Sequence, residues 1–255
     1  MTIDPRAGGG RALAVAHRGD PVTHRENTLQ AVGRAIDAGA DLVEIDVKTT
    51  ADGVSVVLHD DNLARLWEVE RDIRELTVHE VDAVGALPSG GSMRIPRLQQ
   101  VLQAVAGTGV GLLIDMDSGE WASAALSTVT RAASAGEVRP TQVVWCGHID
   151  ALRAVRRADP NARIFLSWGE QLRDGLPSDE LVAELRPEAF NPHWEAVGGP
   201  VRDWASDHGL ALCCWTVDDP NTIATVLHEG ADAVISNQVD LVVQEVARWN
   251  QTLAR

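Results

Sequence analysis

The sequence predicts a closed (β/α)₈ barrel, the TIM-barrel arrangement within the α/β class, with a small insertion after the second strand. Eight short apolar runs recur along 255 residues, each leading toward a stretch of helical periodicity. The runs lack apolar–polar alternation, so they read as strands covered on both faces, as in a parallel sheet wrapped by helices. Neither a GxGxxG nor a P-loop pattern occurs, which removes the usual signatures of an open doubly wound sheet. Barrels of this type routinely use about 250 residues as one domain, so residues 1–255 are read as a single barrel domain.

In chain order, the strand at 12–17 leads to a helix at 26–38, and the strand at 42–47 leads, after a long excursion, to a helix at 97–106. The remaining pairs are 111–116 with 120–135, 142–146 with 149–158, 163–168 with 178–185, 189–192 with 201–208, 210–217 with 221–228, and 231–236 with 239–253. The excursion, about 49–95, opens with Ala51-Asp52-Gly53 between two β-rich runs, which reads as a hairpin loop. In that register Thr50 faces Val54 and Ile45 faces His59, so His59 returns beside Glu44 and Asp46. A slip or bulge of one residue decides whether it shares their face. Residues 60–94 are polar, turn-rich and short of core residues, and read as a small cap. It ends at Ile95-Pro96, where proline suits the start of a helix. The first ten residues read as a mobile tail.

Charge and cysteine content narrow the function. With 22 Lys and Arg against 37 Asp and Glu, the net charge is −15. Such a surface disfavours nucleic acid and anionic membranes, so an anionic substrate must be met by local cations or a metal. The three cysteines, Cys146, Cys213 and Cys214, form neither a CxxC pair nor a disulfide framework and read as small buried hydrophobes. Cys213 and Cys214, adjacent on a strand, point to opposite faces. No apolar leader or run of about 18 apolar residues occurs, so a cytoplasmic protein without a stable membrane anchor is expected.

In a barrel the active site lies at the C-terminal ends of the strands. Those ends here carry His17-Arg18, Glu44-x-Asp46, Asp115-x-Asp117, His148, Ser167-Trp168, Asn191-Pro192-His193, Trp215-Thr216 and Ser236-Asn237. Glu44 and Asp46, two apart on a strand, project to one face. Carboxylates that close raise each other's pKa unless a cation intervenes, and a hard ion such as Mg²⁺ or Ca²⁺ with Asp115 as third ligand is the economical answer. The alternative is a solvated acidic rim paired with arginine. His17 and His59 are the candidate proton donor and acceptor, and Arg18 is a bidentate phosphate donor. A phosphodiester of small-molecule size is the substrate this set would hold. Trp215 and Trp168 are candidate pocket walls, and His193 reaches either the pocket or a structural hydrogen bond. Trp67 and Trp121 are expected to be partly exposed.

The strings AHRGD, ENTLQAV, GADLVEIDVKTTADG and VVLHDDNLAR resemble the glycerophosphodiester phosphodiesterase family. A looser resemblance continues through Ile95-Pro96-Arg97-Leu98, Asn191-Pro192-His193-Trp194, Cys214-Trp215-Thr216-Val217 and Gly230-Ala231-Asp232, covering about 12–245. It implies metal-dependent hydrolysis of glycerophosphodiesters to glycerol 3-phosphate and an alcohol, with His17 and His59 as the catalytic pair. It also implies that Arg18 contacts phosphate and that Glu44, Asp46 and an acid at 115 bind metal.

Two departures stand out. The family's Glu-x-Lys on the third strand is here Asp115-Met116-Asp117, and its Thr-Asp after the last strand is Ser236-Asn237. A negative charge lost at 237 is balanced by one gained at 117, or else the substrate differs or catalysis is weakened. Asp117 needs a neutralising partner: the metal, as an extra ligand, is the expected one, and Arg18 the alternative. A lysophospholipase D-like or lyase activity on a lipid headgroup, and a degenerate phosphodiester-binding barrel, stay open beside the phosphodiesterase.

Overall fold

A computed structural model describes residues 10–84 and 93–253. The expected mobile tail, save Gly10, and part of the excursion lie outside the described residues. In order, the chain runs β1 (Leu13–Ala16), α1 (Leu29–Ala38), β2 (Leu42–Thr49), β3 (Ser55–Val57), β4 (Asn62–Leu63), α2 (Ala64–Trp67), β5 (Val69–Asp72) and α3 (Val78–Ala83). It continues with α4 (Leu98–Val105), β6 (Gly111–Met116), α5 (Ala122–Ser134), β7 (Val143–Gly147), α6 (Ile149–Ala158), β8 (Arg163–Trp168) and α7 (Asp179–Leu185). β9 (Ala189–Pro192), α8 (Gly199–Asp207), β10 (Ala211–Cys214), α9 (Pro220–His228), β11 (Ala233–Ser236) and α10 (Val239–Leu253) complete it. Pro96 lies just ahead of α4, whose N-cap is Arg97.

Eight parallel strands pair in the order β1-β11-β10-β9-β8-β7-β6-β2, and β2 returns to β1, closing the barrel. Alternation along each strand sorts its residues into two layers. Leu13, Val15, Leu42, Leu113, Val144, Phe165, Cys213 and Ile235 belong to one apolar cluster that fills the lumen. Val43, Ile45, Leu112 and Ile114 belong instead to the layer beneath the helices. Cys213 lies in the lumen cluster and Cys214 in a helix-side cluster, so the two do point apart. All three thiols are buried, and burial raises each of them.

The parity of β2 places Leu42, Glu44, Asp46 and Lys48 on one face, apolar at the bottom and charged toward the top. β6 repeats the pattern with Leu113 and Asp115, and Asp46 lies beside Asp115 in register. The lumen is thus a packed apolar plug with a polar mouth.

The hairpin has the expected register: Val47 faces Val57, Lys48 faces Val56 and Thr49 faces Ser55. Thr50 N–H donates to Val54 at 3.0 Å to close the turn. Beyond it, β4, α2, β5 and α3 form the cap. The cap carries more core than its composition suggests, because Leu63, Trp67, Ile73, Leu76 and Val81 are all buried. Trp67 and Trp121 are also buried rather than partly exposed. Arg25 stacks on the Trp67 ring at 4.5 Å, and Trp121 packs under the barrel mouth. No described helix is long and apolar enough to cross a membrane.

Candidate active site

At the C-terminal mouth a recess of about 620 Å³ is lined by His17, Arg18, Glu44, Asp46, His59, Asp115, Asp117, Cys146, Ser167, Asn191, Trp215 and Ile235. That size suits a small molecule. Ten of these residues are polar or aromatic and come from the mouth; Cys146 and Ile235 belong to the lumen plug beneath.

The turn after β1 explains its own sequence. Arg18 takes a left-handed φ of 56°, which costs a non-glycine residue energy. A Cβ on Gly19 would meet the Ala31 carbonyl carbon at 2.6 Å, so only glycine lets the turn lie against α1. The strained Arg18 is held on several sides. Its backbone N–H donates to Glu44 Oε2 at 2.9 Å, Nη1 donates to Glu26 Oε1 at 2.9 Å, and Nε lies 3.2 Å from Asp46 Oδ2. Against the cost of burial, Asp46, Glu44 and Glu26 raise the guanidinium above its ordinary value.

Glu26-Asn27-Thr28 has three distinct jobs. Glu26 anchors Arg18, and Thr28 accepts from Ala31 N–H to cap α1. Asn27 Nδ2 donates to Asp46 Oδ2 at 2.7 Å while its Oδ1 accepts from Asp46 N–H at 3.2 Å. That second bond explains the orientation of His59. In the hairpin ladder Asp46 faces Leu58, and Leu58 N–H donates to Asp46 O at 3.0 Å. Asn27 takes the Asp46 N–H instead of the Leu58 carbonyl, so the ladder stops there. His59 leaves the strand and enters the recess, although uninterrupted pairing would have put it on the opposite face.

The electrostatics are uneven. Burial, then Asp46 and Asp115, raise Glu44 well above the usual carboxylate range. Burial and Asp46 push Asp115 up to about 7. Burial and the nearby Arg18 lower the His17 imidazole, which favours its neutral form. His59 Nδ1 lies 2.6 Å from Asp60 Oδ1. The Arg65 guanidinium, together with His59, brings Asp60 down to about 2.

Asp117 pairs with a lysine rather than with Arg18. Lys48 Nζ donates to Asp117 Oδ2 at 2.5 Å and lies 2.8 Å from Asp61 Oδ1. Asp117 Oδ1 accepts from Trp121 Nε1 at 2.7 Å. Lys48, two residues beyond Asp46, is on the strand beside Asp117, so the cation absent from β6 is supplied by its neighbour. Arg18 stays with Glu26 and Asp46.

The departure at 237 is balanced elsewhere too. Asn237 Oδ1 is 2.8 Å from His17 Nδ1, and Asn237 Nδ2 donates to Asp218 Oδ2 at 2.7 Å. The carboxyl nearest position 237 is therefore Asp218, not Asp117. Asp218-Asp219-Pro220 reads as a helix start, and Asp219 does cap α9 by accepting from Thr222 N–H. Nothing local in the sequence separates the first aspartate from the second. Glu26, Asn27 and Lys48 were equally invisible as site residues, since each acts through partners distant in sequence.

The other expected residues divide between the recess and its surroundings. His193 does not line the recess; its Nδ1 accepts from Glu195 N–H at 3.4 Å, capping a short 3₁₀ turn. His148 caps α6 in the same way, through Asp150 N–H. Trp215 lines the recess, its Nε1 donating to Asn191 O at 2.9 Å. Trp168 points into the helix layer, and its Nε1 donates to Gly175 O at 2.8 Å.

As donors, Glu44, Asp46 and Asp115 suit a hard divalent cation: all offer oxygen, and their mutual repulsion is what a cation would relieve. Among the described residues no three His, Cys, Asp or Glu side chains are already grouped closely enough to hold one. The fit is therefore one of charge and donor chemistry.

The model of the glycerophosphoryl diester phosphodiesterase family matches residues 17–241. A glycerophosphodiester phosphodiesterase from Caldanaerobacter subterraneus subsp. tengcongensis is 26% identical over 245 residues, 93% of this chain and 99% of the relative. A glycerophosphodiester phosphodiesterase structure from Thermotoga maritima matches with a TM-score of 0.72 at 25% identity, covering 91% of this chain and 97% of the other. An Oleispira antarctica phosphodiesterase matches with a TM-score of 0.81 at 20% identity, covering 92% and 96%. The family match spans every residue that lines the recess, and the chain belongs to the glycerophosphoryl diester phosphodiesterase family, and with it to the phosphoric diester hydrolases.

Proposed function

We propose that the protein hydrolyses glycerophosphodiesters to glycerol 3-phosphate and an alcohol, with His17 and His59 as its proton donor and acceptor. The observation that carries the reading is the recess itself: two histidines, one arginine and three acids share a single small cavity, in which burial and the neighbouring carboxylates raise Glu44 and Asp115. The Oleispira antarctica structure holds the product sn-glycerol-3-phosphate, which supports that product here.

Each residue has a task that its surroundings suit. Arg18, fixed by Glu26 and Asp46, offers its remaining N–H groups to a phosphoryl oxygen. His59 Nδ1–H points to Asp60, which leaves Nε2 to exchange a proton with the substrate. His17 works through its own Nε2, which is 3.8 Å from Glu44 Oε2. Glu44, Asp46 and Asp115 would hold Mg²⁺ or Ca²⁺. Such an ion supplies charge to a phosphoryl oxygen as negative charge builds in the transition state. Trp215 walls the recess against the alcohol or glycerol moiety. No nucleic acid fits so acidic a chain, and we propose a single barrel domain working in the cytoplasm.

The test is turnover of glycerophosphocholine and of a bis-aryl phosphate, after chelation and after re-addition of Mg²⁺, Ca²⁺ or Mn²⁺. Hydrolysis of glycerophosphocholine that returns with one of the ions is the expected result. Full activity after exhaustive chelation would remove the metal, and turnover of neither diester under any condition would remove the reading.

A further inference from the structure

We propose that Asp218 and Asn237 are positioning residues that hold His17 in the tautomer with hydrogen on Nδ1, so that a bare Nε2 faces the recess. The inference rests on the phosphodiesterase reading for its consequence, but not for its geometry.

The argument is one of hydrogen-bond direction. Asp218 accepts on both oxygens: Oδ1 from Asn237 N–H at 2.8 Å and from Ser236 Oγ at 3.0 Å, Oδ2 from Asn237 Nδ2 at 2.7 Å. An amide has one donor end and one acceptor end. With the donor end turned to Asp218, the acceptor end, Oδ1, faces His17 Nδ1 at 2.8 Å. An acceptor on that side requires the imidazole hydrogen to be on Nδ1. Nε2 then keeps its lone pair and is the nitrogen facing Glu44 across the recess.

The backbone makes the arrangement stiff. His17 N–H donates to Ser236 O at 2.9 Å, and Val217 N–H donates to Ile235 O at 2.9 Å. The ends of β1 and β11 and the loop after β10 are thus tied to one another, with the chain His17–Asn237–Asp218 running across them.

The two histidines consequently differ. Nδ1 of His59 meets a carboxylate, Asp60, whereas Nδ1 of His17 meets the neutral oxygen of an amide. The amide that meets His17 is itself fixed by Asp218, so the lone pair of His17 Nε2 is held toward the recess, where it can accept a proton.

The experiment uses the full chain. Nitrogen-15 NMR of histidine-labelled protein, with His17 assigned by the loss of its signal in His17→Gln, reads the tautomer directly. Asp218→Asn removes the demand that fixes the Asn237 amide, and Asn237→Asp sets two carboxyls against each other. The double variant, Asp218→Asn with Asn237→Asp, reverses the bond between 218 and 237 but again pairs one donor with one acceptor there and leaves an acceptor facing His17 Nδ1. The expected result is an Nδ1–H tautomer in the wild type and mixed tautomers in Asp218→Asn. Each single variant should lose about 10–100-fold in kcat with KM little changed, as for groups that orient a working histidine, and the double variant should regain most of it.

An Nε2–H tautomer in the wild type overturns the proposal. So does a lowered Tm with tautomer and kcat unchanged, which is what a purely structural link would give. If a single variant does not fold, the wild-type tautomer and the double variant still decide. If the wild type turns over no diester, the functional reading fails while the tautomer remains measurable.

Discussion

Two groups of acids share the mouth of this barrel and have opposite fates. Asp117 and Asp61 close around the buried ammonium of Lys48, and Arg74 adds a second cation at 3.2 Å from Asp61. On the same two strands, nearer the lumen, Glu44, Asp46 and Asp115 crowd together, and among the described residues Arg18 is the one arginine or lysine lining their recess. Arg18 gives Glu44 only a backbone N–H. The first group is a completed ion-pair network. In the second, Glu44 and Asp115 are held above the usual carboxylate range by burial and by each other's neighbours. A carboxylate at a strand end is thus no guide to function by itself; what separates the groups is whether the protein supplies the compensating charge.

The largest effect expected from this division is on turnover. On the proposed roles, His17→Ala and His59→Ala should each lose about 10²–10⁴-fold in kcat, the contribution of a proton-transfer group. The double variant should be little worse than the worse single one, since the two act as a unit. Losses below tenfold in both folded single variants would mean the chemistry lies elsewhere.

Next in size is the contrast between Glu44→Gln and Asp117→Asn. Calorimetric titration with Mg²⁺ or Ca²⁺ should show affinity falling at least about tenfold in the first and staying within about threefold in the second. Loss of affinity in Asp117→Asn would merge the two groups into one site. Asp117→Lys, which sets a second ammonium against Lys48, should lower Tm rather than raise activity.

Lys48→Met tests the closed network from its cation. The carboxylates it leaves are half-exposed and can hydrate, so the cost should be about 1–3 kcal/mol in denaturant unfolding, below the penalty for orphaning a buried charge. A cost near zero would show that the network is ornamental to folding.

The last comparison is the pH dependence of stability. Asp115 has an ordinary value of 3.8 and reaches about 7 in the fold, so between those values the folded chain keeps a proton that the unfolded chain has released. Stability from this group is present below about 4 and is lost as pH rises through about 7. Glu44 acts in the same direction. Calorimetry of the chelated protein should therefore show Tm falling across that window. Added Mg²⁺ or Ca²⁺ should raise Tm more at pH 8 than at pH 5. An ion effect that does not grow with pH would separate these carboxylates from ion binding.

Much of the scaffold was legible because its causes are local. The strands Gly111–Met116, Arg163–Trp168 and Ala189–Pro192 coincide with short, mostly apolar runs that lack alternation, since burial on both faces writes itself directly into composition. The hairpin register followed from the length of one glycine-containing turn. Residue spacing also brought Glu44, Asp46, Asp115 and both histidines toward one mouth, because strand parity and barrel topology leave few alternatives.

What the tertiary structure alone decided are the pairings between side chains far apart in sequence. Lys48 meets Asp117 only because β2 and β6 are neighbours in register. His59 turns into the recess only because Asn27 takes the Asp46 N–H. Trp121 is buried because Asp117 accepts its indole hydrogen, and the carboxyl lost at 237 reappears at 218 across a loop. Periodicity encodes which face of an element is apolar. It carries no record of which donor, among several within reach, an acceptor will choose, because that choice is made by distances that exist only once the barrel has closed.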